Sequence, residues 1–565
     1  MSFLRKAIYT MLCLPLVTSC INDKLEPCQP EISDIAGYLQ LTVTTAGDRG
    51  TRANPTGGEL GDGYEHGLEN ENTIHNLTIF LYRDGNIGLD GNYKIEWYKY
   101  VDAVTVNSNE PEYPYDRIYN VRIPLTQDDF TVLKTTSGEV PRVAVVANAG
   151  DLTERVELYN YNINNICRYR GYGNAWKEGE TAGTSDYFVM SSAFNGSRRN
   201  DSHMKDGRIY ELSNSTEGKV FTCEVTLERV AARIDLQYSG DEEYNEENGQ
   251  LTYKVKDVNH TVTLTNTIPV NLMQNNSYLV KRLSDGKDVT ASSNLFCAAD
   301  ESVIGNIPNN YVVSPNFFDK PNEAKLDEWY GDSRASRLRN LGEEDIINEC
   351  SMDSYGPSIT VMSDWNQPTN DKAIIITYAN ENTHPEELQV TKYEDDGTTV
   401  VTRPSDYLTG LLFRAQYHPE KVYTSGAIGN EAPSEKYKDG DDFWLFRTVG
   451  ANNTNAVEEK YNIYFASENA LNEYVATLPA GGRYETVYYQ GGICYYNVWI
   501  KHANIEGSDE NFPMKYGIVR NNIYRISLNF NGIGQPTPEI TEPRNVTSRI
   551  YVIKWNFRPQ DLIIM

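Results

Sequence analysis

Two kinds of residue near the N-terminus are placed for chemistry: a cysteine positioned for acylation and arginines positioned for proteolysis. Arg5 and Lys6 precede an apolar run, Ala7 to Val17, which Pro15 interrupts. The run is too short to span a bilayer, which needs about 20 apolar residues, and reads as a signal segment. Val17-Thr18-Ser19-Cys20 follows, small residues directly before a cysteine. This pattern resembles the bacterial lipobox, in which the Cys20 sulfur is diacylated and Cys20 becomes the new N-terminus. Ile21 to Glu26 is polar and partly acidic and reads as a tether. Further on, Ala46 to Gly58 is rich in Gly and polar residues, the composition of an exposed loop open to proteases. Within it, Arg52-Ala53 is the preferred bond for a cut after arginine, with Arg49-Gly50 second. On the residues alone, a surface loop that happens to contain arginines is the plainer reading.

The element just before that loop is a strand. Leu39, Leu41 and Val43 are apolar, while Gln40, Thr42 and Thr44 are polar. Period two puts the three apolar side chains on one face. At the other end of the chain, Tyr551, Ile553, Trp555 and Phe557 alternate with Ile550, Val552, Lys554 and Asn556. Pro536, Pro538 and Pro543 precede this second strand in a Gly/Pro/Thr-rich stretch, either a hinge or an ordinary crossover loop.

Between these ends the composition is β-like. Tyr outnumbers Phe by 40 to 16, and short runs of Thr, Val and Ile are separated by Gly, Asn, Asp and Pro. Thr78 to Tyr82 ends in Arg83-Asp84-Gly85-Asn86, a strand followed by a turn signal. Val143 to Gly150 is almost continuously apolar and reads as a strand buried on both faces. Lys219 to Leu227 and Ala231 to Tyr238 read as two more strands. Helical periodicity is confined to Leu326 to Leu341, with Gly331 inside it, and to Glu468 to Leu478, stopped by Pro479. The expected fold is all-β: two β-sandwich domains, transthyretin-like or Greek-key, with long loops and a few short helices. The expected division is a signal peptide at 1–19, a tether and removable strand at 20–52, an N-terminal sandwich at 53–237 and a C-terminal sandwich at 238–565.

Charge and motifs exclude several functions. The formal net charge is -28, and removal of residues 1–19 takes Arg5 and Lys6 with it, leaving -30. Phosphate binding rests on Lys and Arg, so nucleic acid and anionic membrane surfaces are poor partners. Contact with a membrane is expected only through the N-terminal lipid. Outside the signal and Cys20, Cys28, Cys167, Cys223, Cys297, Cys350 and Cys494 are scattered without CxxC or zinc spacing. Six cysteines allow 15 pairings, among which the sequence does not choose. No nucleophile, zincin or phosphate-loop motif occurs, and the seven histidines sit apart. Asp439-Gly440-Asp441-Asp442 lacks EF-hand spacing and reads as a turn. No catalytic residue, metal site or cofactor is expected. Tyr488-Tyr489, Tyr495-Tyr496 and Trp499 are suited to stacking on sugars, but packing between strands explains them more simply.

Several segments together resemble one family. Asn70 to Tyr82, Val145 to Gly150 and Leu227 to Asp235 are similar to segments of the Bacteroidales fimbrillins. Tyr516 to Ile526 and Ile550 to Trp555 resemble the C-terminal strands of the minor fimbria shaft-protein group of that family. The resemblance touches both halves in order and leaves roughly 285–490 uncovered. It implies a type V pilus. Subunits are exported as lipoproteins, a trypsin-like protease cuts after an arginine following the first strand, and a neighbour's C-terminal strand fills the vacated groove. On that reading 39–43 is the removable strand and Tyr551, Ile553, Trp555 and Phe557 are the donor face. Burying four large apolar side chains stabilises by roughly 1.5–3 kcal/mol each before entropy is counted. The partners implied are other pilus subunits, the protease, and a host or bacterial surface receptor. The location implied is the outer membrane, then the extracellular fimbrium. Two alternatives stay open: a surface lipoprotein that binds glycan or host protein without polymerising, and the cell-anchored base subunit of the same pilus.

Overall fold

The computed structural model describes most of residues 35–283 and 358–555. Residues 1–34, 284–357 and 556–565 lie outside the described residues, as do shorter stretches including 45–63, 383–407 and 503–515. The expected helix at Leu326 to Leu341 therefore falls outside them, together with Cys20, Arg49, Arg52, Ala53 and Phe557.

The described chain is built almost entirely of strands, arranged in several sheets with a few short helices. The first sheet has nine strands. It contains β1 (Gly37–Thr44), the buried strand Val140–Ala147 and, at one end of its main path, β3 (Ile118–Leu125). Val143 to Ala147 are at most 1% exposed, as their continuous apolar character requires. That strand ends at Asn148 and Gly150, both at positive φ, where the Asn148 amide donates to Thr73 O and Phe188 O. This polar anchor explains why the Asn-Ala-Gly tail follows the apolar run.

The long strand β4 (Lys219–Arg229) belongs to the first sheet; β5 (Ala231–Tyr238) belongs to a second, six-stranded one. The chain changes sheets at Val230. In the second sheet β5 pairs antiparallel with Gln367–Asn380 and parallel with β6 (Asn522–Phe530). β6 in turn pairs antiparallel with the terminal strand β7 (Val546–Trp555), whose last two residues pair with the short β2 (Tyr64–Glu65).

Two apolar cores result. One gathers side chains of the first sheet and reaches Ile375, Tyr378, Ile523 and Ile553 of the second. The other fills the space between the second sheet and a five-stranded sheet that includes Thr261–Val270, Gly410–His418 and Ile493–Trp499. β5 is buried on both faces because it lies between them. Its even positions, Ala232, Ile234 and Leu236, enter the second core, while Arg233 and Asp235 point the other way.

A separate five-stranded sheet, with Ile463–Phe465 at its centre and Phe443–Thr448 beside it, is inserted between Gly410–His418 and Ile493–Trp499, which pair directly with each other. It carries the expected short helix, Glu468–Val475, whose N-cap Ser467 accepts from the Ala470 N–H. Tyr489, Tyr495, Tyr496 and Trp499 are buried as packing residues, whereas Tyr488 stays 44% exposed. Asp439 to Asp442 form a turn with Gly440 at φ 87°, and Asp442 accepts from the Tyr488 hydroxyl and the Gly491 N–H.

Candidate functional site

β1 has a neighbour on each side along its whole length. It runs parallel to β4, with Gly37 opposite Lys219 and Thr44 opposite Thr226, and antiparallel to β3, with Gly37 opposite Leu125 and Thr44 opposite Ile118. The register keeps odd positions together. Leu39 lies beside Phe221 and Ile123, Leu41 beside Cys223 and Val121, Val43 beside Val225 and Tyr119. Leu39, Leu41 and Val43 are each 0% exposed. The three-point apolar face predicted by alternation is thus fully buried, and it contributes about 4.5–9 kcal/mol by area bookkeeping.

The groove holding β1 is closed at its start by a helix that sequence reading missed, α1 (Gln127–Leu133). Thr126 and Asp129 cap it reciprocally, a T-x-x-D signal present in the sequence but masked by its brevity. Phe130 of α1 packs on Phe221 at 4.8 Å between ring centroids. A side chain at Gly37 would meet Lys219 O at 2.5 Å and Phe130 at 3.1 Å, so the strand enters by close backbone approach. On the outer face, the Thr42 hydroxyl donates to Asn120 Oδ1 at 2.9 Å and the Arg122 guanidinium lies 3.9 Å from the Tyr38 ring centroid.

The other half of the expected pair is β7. Ile553 is buried in the first core and Tyr551 packs half-buried against it. Trp555 pairs with Glu65 through the backbone. The opposite face is occupied too: Val546 and Ile550 are buried in the second core. Along one side β7 makes nine residue pairs with β6; along the other, among the described residues, it meets only Tyr64 and Glu65.

Sequence reading also missed a buried ionic cluster beside β2. Arg233 binds Glu65, Glu71 at 3.2 Å and Asp235 at 3.0 Å, and Arg525 of β6 binds Glu65 and Asp235 at 2.9 Å. Arg233, Glu71 and Asp235 are wholly buried. Arg229 donates to Glu71 O and to Asn72 and Asn521, and the Tyr378 hydroxyl donates to Glu71 at 2.7 Å. Burial pushes the Glu65 carboxyl up, but Arg233 and Arg525 outweigh it and hold it below its ordinary value. Burial lowers Arg229 to about 10 despite the nearby Glu71. A second buried pair, Arg520 with Glu381 at 2.6 Å, also reaches Leu279 O at 3.3 Å. The recognisable signal was alternation in Ala231 to Leu236, where charged residues recur on one face of an otherwise apolar strand.

Nothing in this arrangement is a reacting centre. It is a strand in a deep groove, a terminal strand near a sheet edge, and ionic contacts that fasten residues 65–72 to the second sheet.

Comparison with known proteins agrees. Residues 38–257 match the family model of the major fimbrial subunit protein (FimA), and residues 487–561 match that of the major fimbrial subunit protein type IV, fimbrillin, C-terminal. All five segments that carried the resemblance fall inside these two spans. No curated protein matches the chain. Among solved structures, a candidate cell adhesion protein from Parabacteroides distasonis ATCC 8503 is 15% identical, with 92% of this chain and 99% of that one covered and a TM-score of 0.38. A fimbrilin from Porphyromonas gingivalis W83 is 13% identical, covering 94% and 100%, with a TM-score of 0.31. The tip fimbrial protein Mfa3 from Porphyromonas gingivalis, with a C-terminal truncation, is 10% identical, covering 92% and 100%, with a TM-score of 0.31. The matched families are structural subunits rather than enzymes, and the chain belongs to the fimbrillin family.

Proposed function

We propose that this fimbrial subunit is exported as a lipoprotein acylated at Cys20, cut after Arg52 (Arg49 second), and polymerised by donor-strand exchange. Residues 20–52 form the tether and removable strand in this reading, with one structural unit over 53–237 and another over 238–565. The observation that carries it is the seat of β1: fully paired on both sides, its three apolar side chains at 0% exposure, and followed directly by the arginine-bearing segment. Loss of β1 opens a groove between β4 and β3 walled by Phe221, Cys223, Val225, Val121 and Ile123. Such an apolar slot with two unpaired strand edges associates with any strand of matching alternation.

The donor in this reading is the terminal strand with Tyr551, Ile553, Trp555 and Phe557. Its position one step from the sheet edge, with only a two-residue partner on its outer side, favours release. A head-to-tail contact of this kind does not close on itself and so builds a filament. Partners in the proposal are further pilus subunits, a trypsin-like protease and a surface receptor; the lipid places the precursor at the outer membrane.

The test uses the unlipidated chain from residue 21 to 565, which leaves out Cys20, treated with a trypsin-like protease. The expected result is release of residues 21–52, a new N-terminus at Ala53, and SDS-resistant ladders. The Arg49→Ala/Arg52→Ala chain should stay intact and monomeric. A cut chain that loses β1 yet never assembles sinks the reading, as does a doubly substituted chain that polymerises equally well.

A further inference from the structure

We propose that the cleft between the inserted sheet and the turn leading into Thr261–Val270 binds a short saccharide. The cleft has a volume of about 770 Å³, within the range of small-molecule sites. One wall is the turn Asp257 to His260; the others are Glu420 to Tyr423, Ile428-Gly429 and Glu459 to Tyr464.

Its floor is rigid. The Glu459 carboxylate accepts from the hydroxyls of Tyr417 and Tyr464, from the Asn462 amide at 2.7 Å and from the Ile533 N–H at 3.3 Å. The His260 ring stands edge-on to Tyr417 and Tyr464, at 5.8 and 5.4 Å, and its Nδ1 accepts from the Glu420 N–H. With those acceptors committed, the floor shapes the cleft rather than reacting in it.

The rim offers both halves of sugar recognition. Tyr461 is 59% exposed and Ile428 43%, and the half-buried Tyr423 adds a second ring; Lys460 and Lys421 lie 5.0 and 4.9 Å from the two ring centroids, and a pyranose C–H face would displace them or take the other side of the ring. Asp257, Asn259, Glu420, Lys421 and Lys460 supply acceptors and donors for hydroxyls. Asn462 spends its amide N–H on Glu459, and its buried Oδ1 has no partner among the described residues. An unmet buried acceptor at the wall is a cost that a ligand hydroxyl removes.

Other ligands fit less well. Two carboxylates balance two ammonium groups at the rim, and a net charge of -28 repels polyanions. Peptide capture by strand addition needs a free edge, yet Lys421–Tyr423 already pairs with Ser434–Lys436 on one side and with Ile463–Phe465 on the other. This inference is independent of strand exchange, since it concerns a different part of the chain.

The test is a glycan array probed with the mature Arg49→Ala/Arg52→Ala chain, followed by titration of the best saccharide. Tyr461→Ala should weaken binding at least tenfold, and Glu420→Gln should weaken it further. Tyr484→Ala, which removes a ring 41% exposed on the same inserted sheet but outside the cleft, should leave binding unchanged. Both tyrosines are exposed, so equal melting temperatures will show that folding is intact. No saccharide bound at millimolar concentration overturns the proposal. So does binding that survives Tyr461→Ala, or a cleft that takes only peptides.

Discussion

Arg233 is the residue on which the junction beside β2 depends. It pairs with three carboxylates, Glu65, Glu71 and Asp235, two of which Arg525 shares, at a site without water-accessible surface of its own. Arg233→Met leaves those charges under-compensated and is expected to cost about 3–5 kcal/mol, read as a lower denaturant midpoint. His502 gives a pH signature. It is buried, with Nδ1 2.8 Å from the Tyr524 hydroxyl oxygen. Burial lowers its pKa from 6.5 to about 3. A lowered folded value means that stability is full above pH 6.5 and lost as pH falls from there toward 3. At about 1.4 kcal/mol per unit, the loss is of the order of several kcal/mol. His502→Gln should flatten the slope of unfolding free energy between pH 6.5 and 4; an unchanged slope means that other groups set it.

At the scale of elements, β1 is secured by pairing on both sides and by Leu39, Leu41 and Val43. Leu41→Ala in the intact chain should cost about 2–5 kcal/mol, the usual range for a buried leucine. The same substitution should have no effect on a chain already trimmed to Ala53, because the strand is gone. Measuring both by chemical denaturation separates a removable strand from a permanent one. β7 has two buried faces, Val546 and Ile550 on one core and Ile553 on the other. On the proposed strand exchange, its release would uncover more than the four-residue face predicted from alternation. Ile550→Ala should loosen β7 in the monomer and speed assembly of trimmed chains, followed by the rate at which ladders form.

The whole molecule carries a charge of -28, so the approach of two copies is opposed by their net charge. Screening shortens that repulsion, with a Debye length of about 30 Å at 0.01 M salt and about 8 Å at 0.15 M. Assembly of trimmed subunits should accordingly be several-fold faster at 0.15 M than at 0.01 M salt, measured by light scattering. The apolar groove itself is nearly indifferent to salt in that range, so a rate unaffected by salt would point to encounter through a locally uncharged face.

Much of this was legible in the chain. Alternation over 39–43 showed which side chains of β1 are buried, the apolar run at Val143 showed a strand covered on both faces, and periodicity before Pro479 showed a helix from Glu468, which ends at Val475 rather than Leu478. These signals are local: each depends on residues two to four apart, whose directions are fixed by the backbone period. α1 was missed because seven residues give periodicity too little length, although its capping residues were in plain view. Tertiary structure alone decided the rest. No spacing tells Leu41 that its neighbours are Cys223 and Val121, nor Asp235 that Arg525 will lie against it. Nor does any spacing bring Asp257 and Tyr461 to one cleft. Those partners are chosen by pairing between segments far apart in sequence, where burial of a charge or an apolar face is settled only once the sheets have come together.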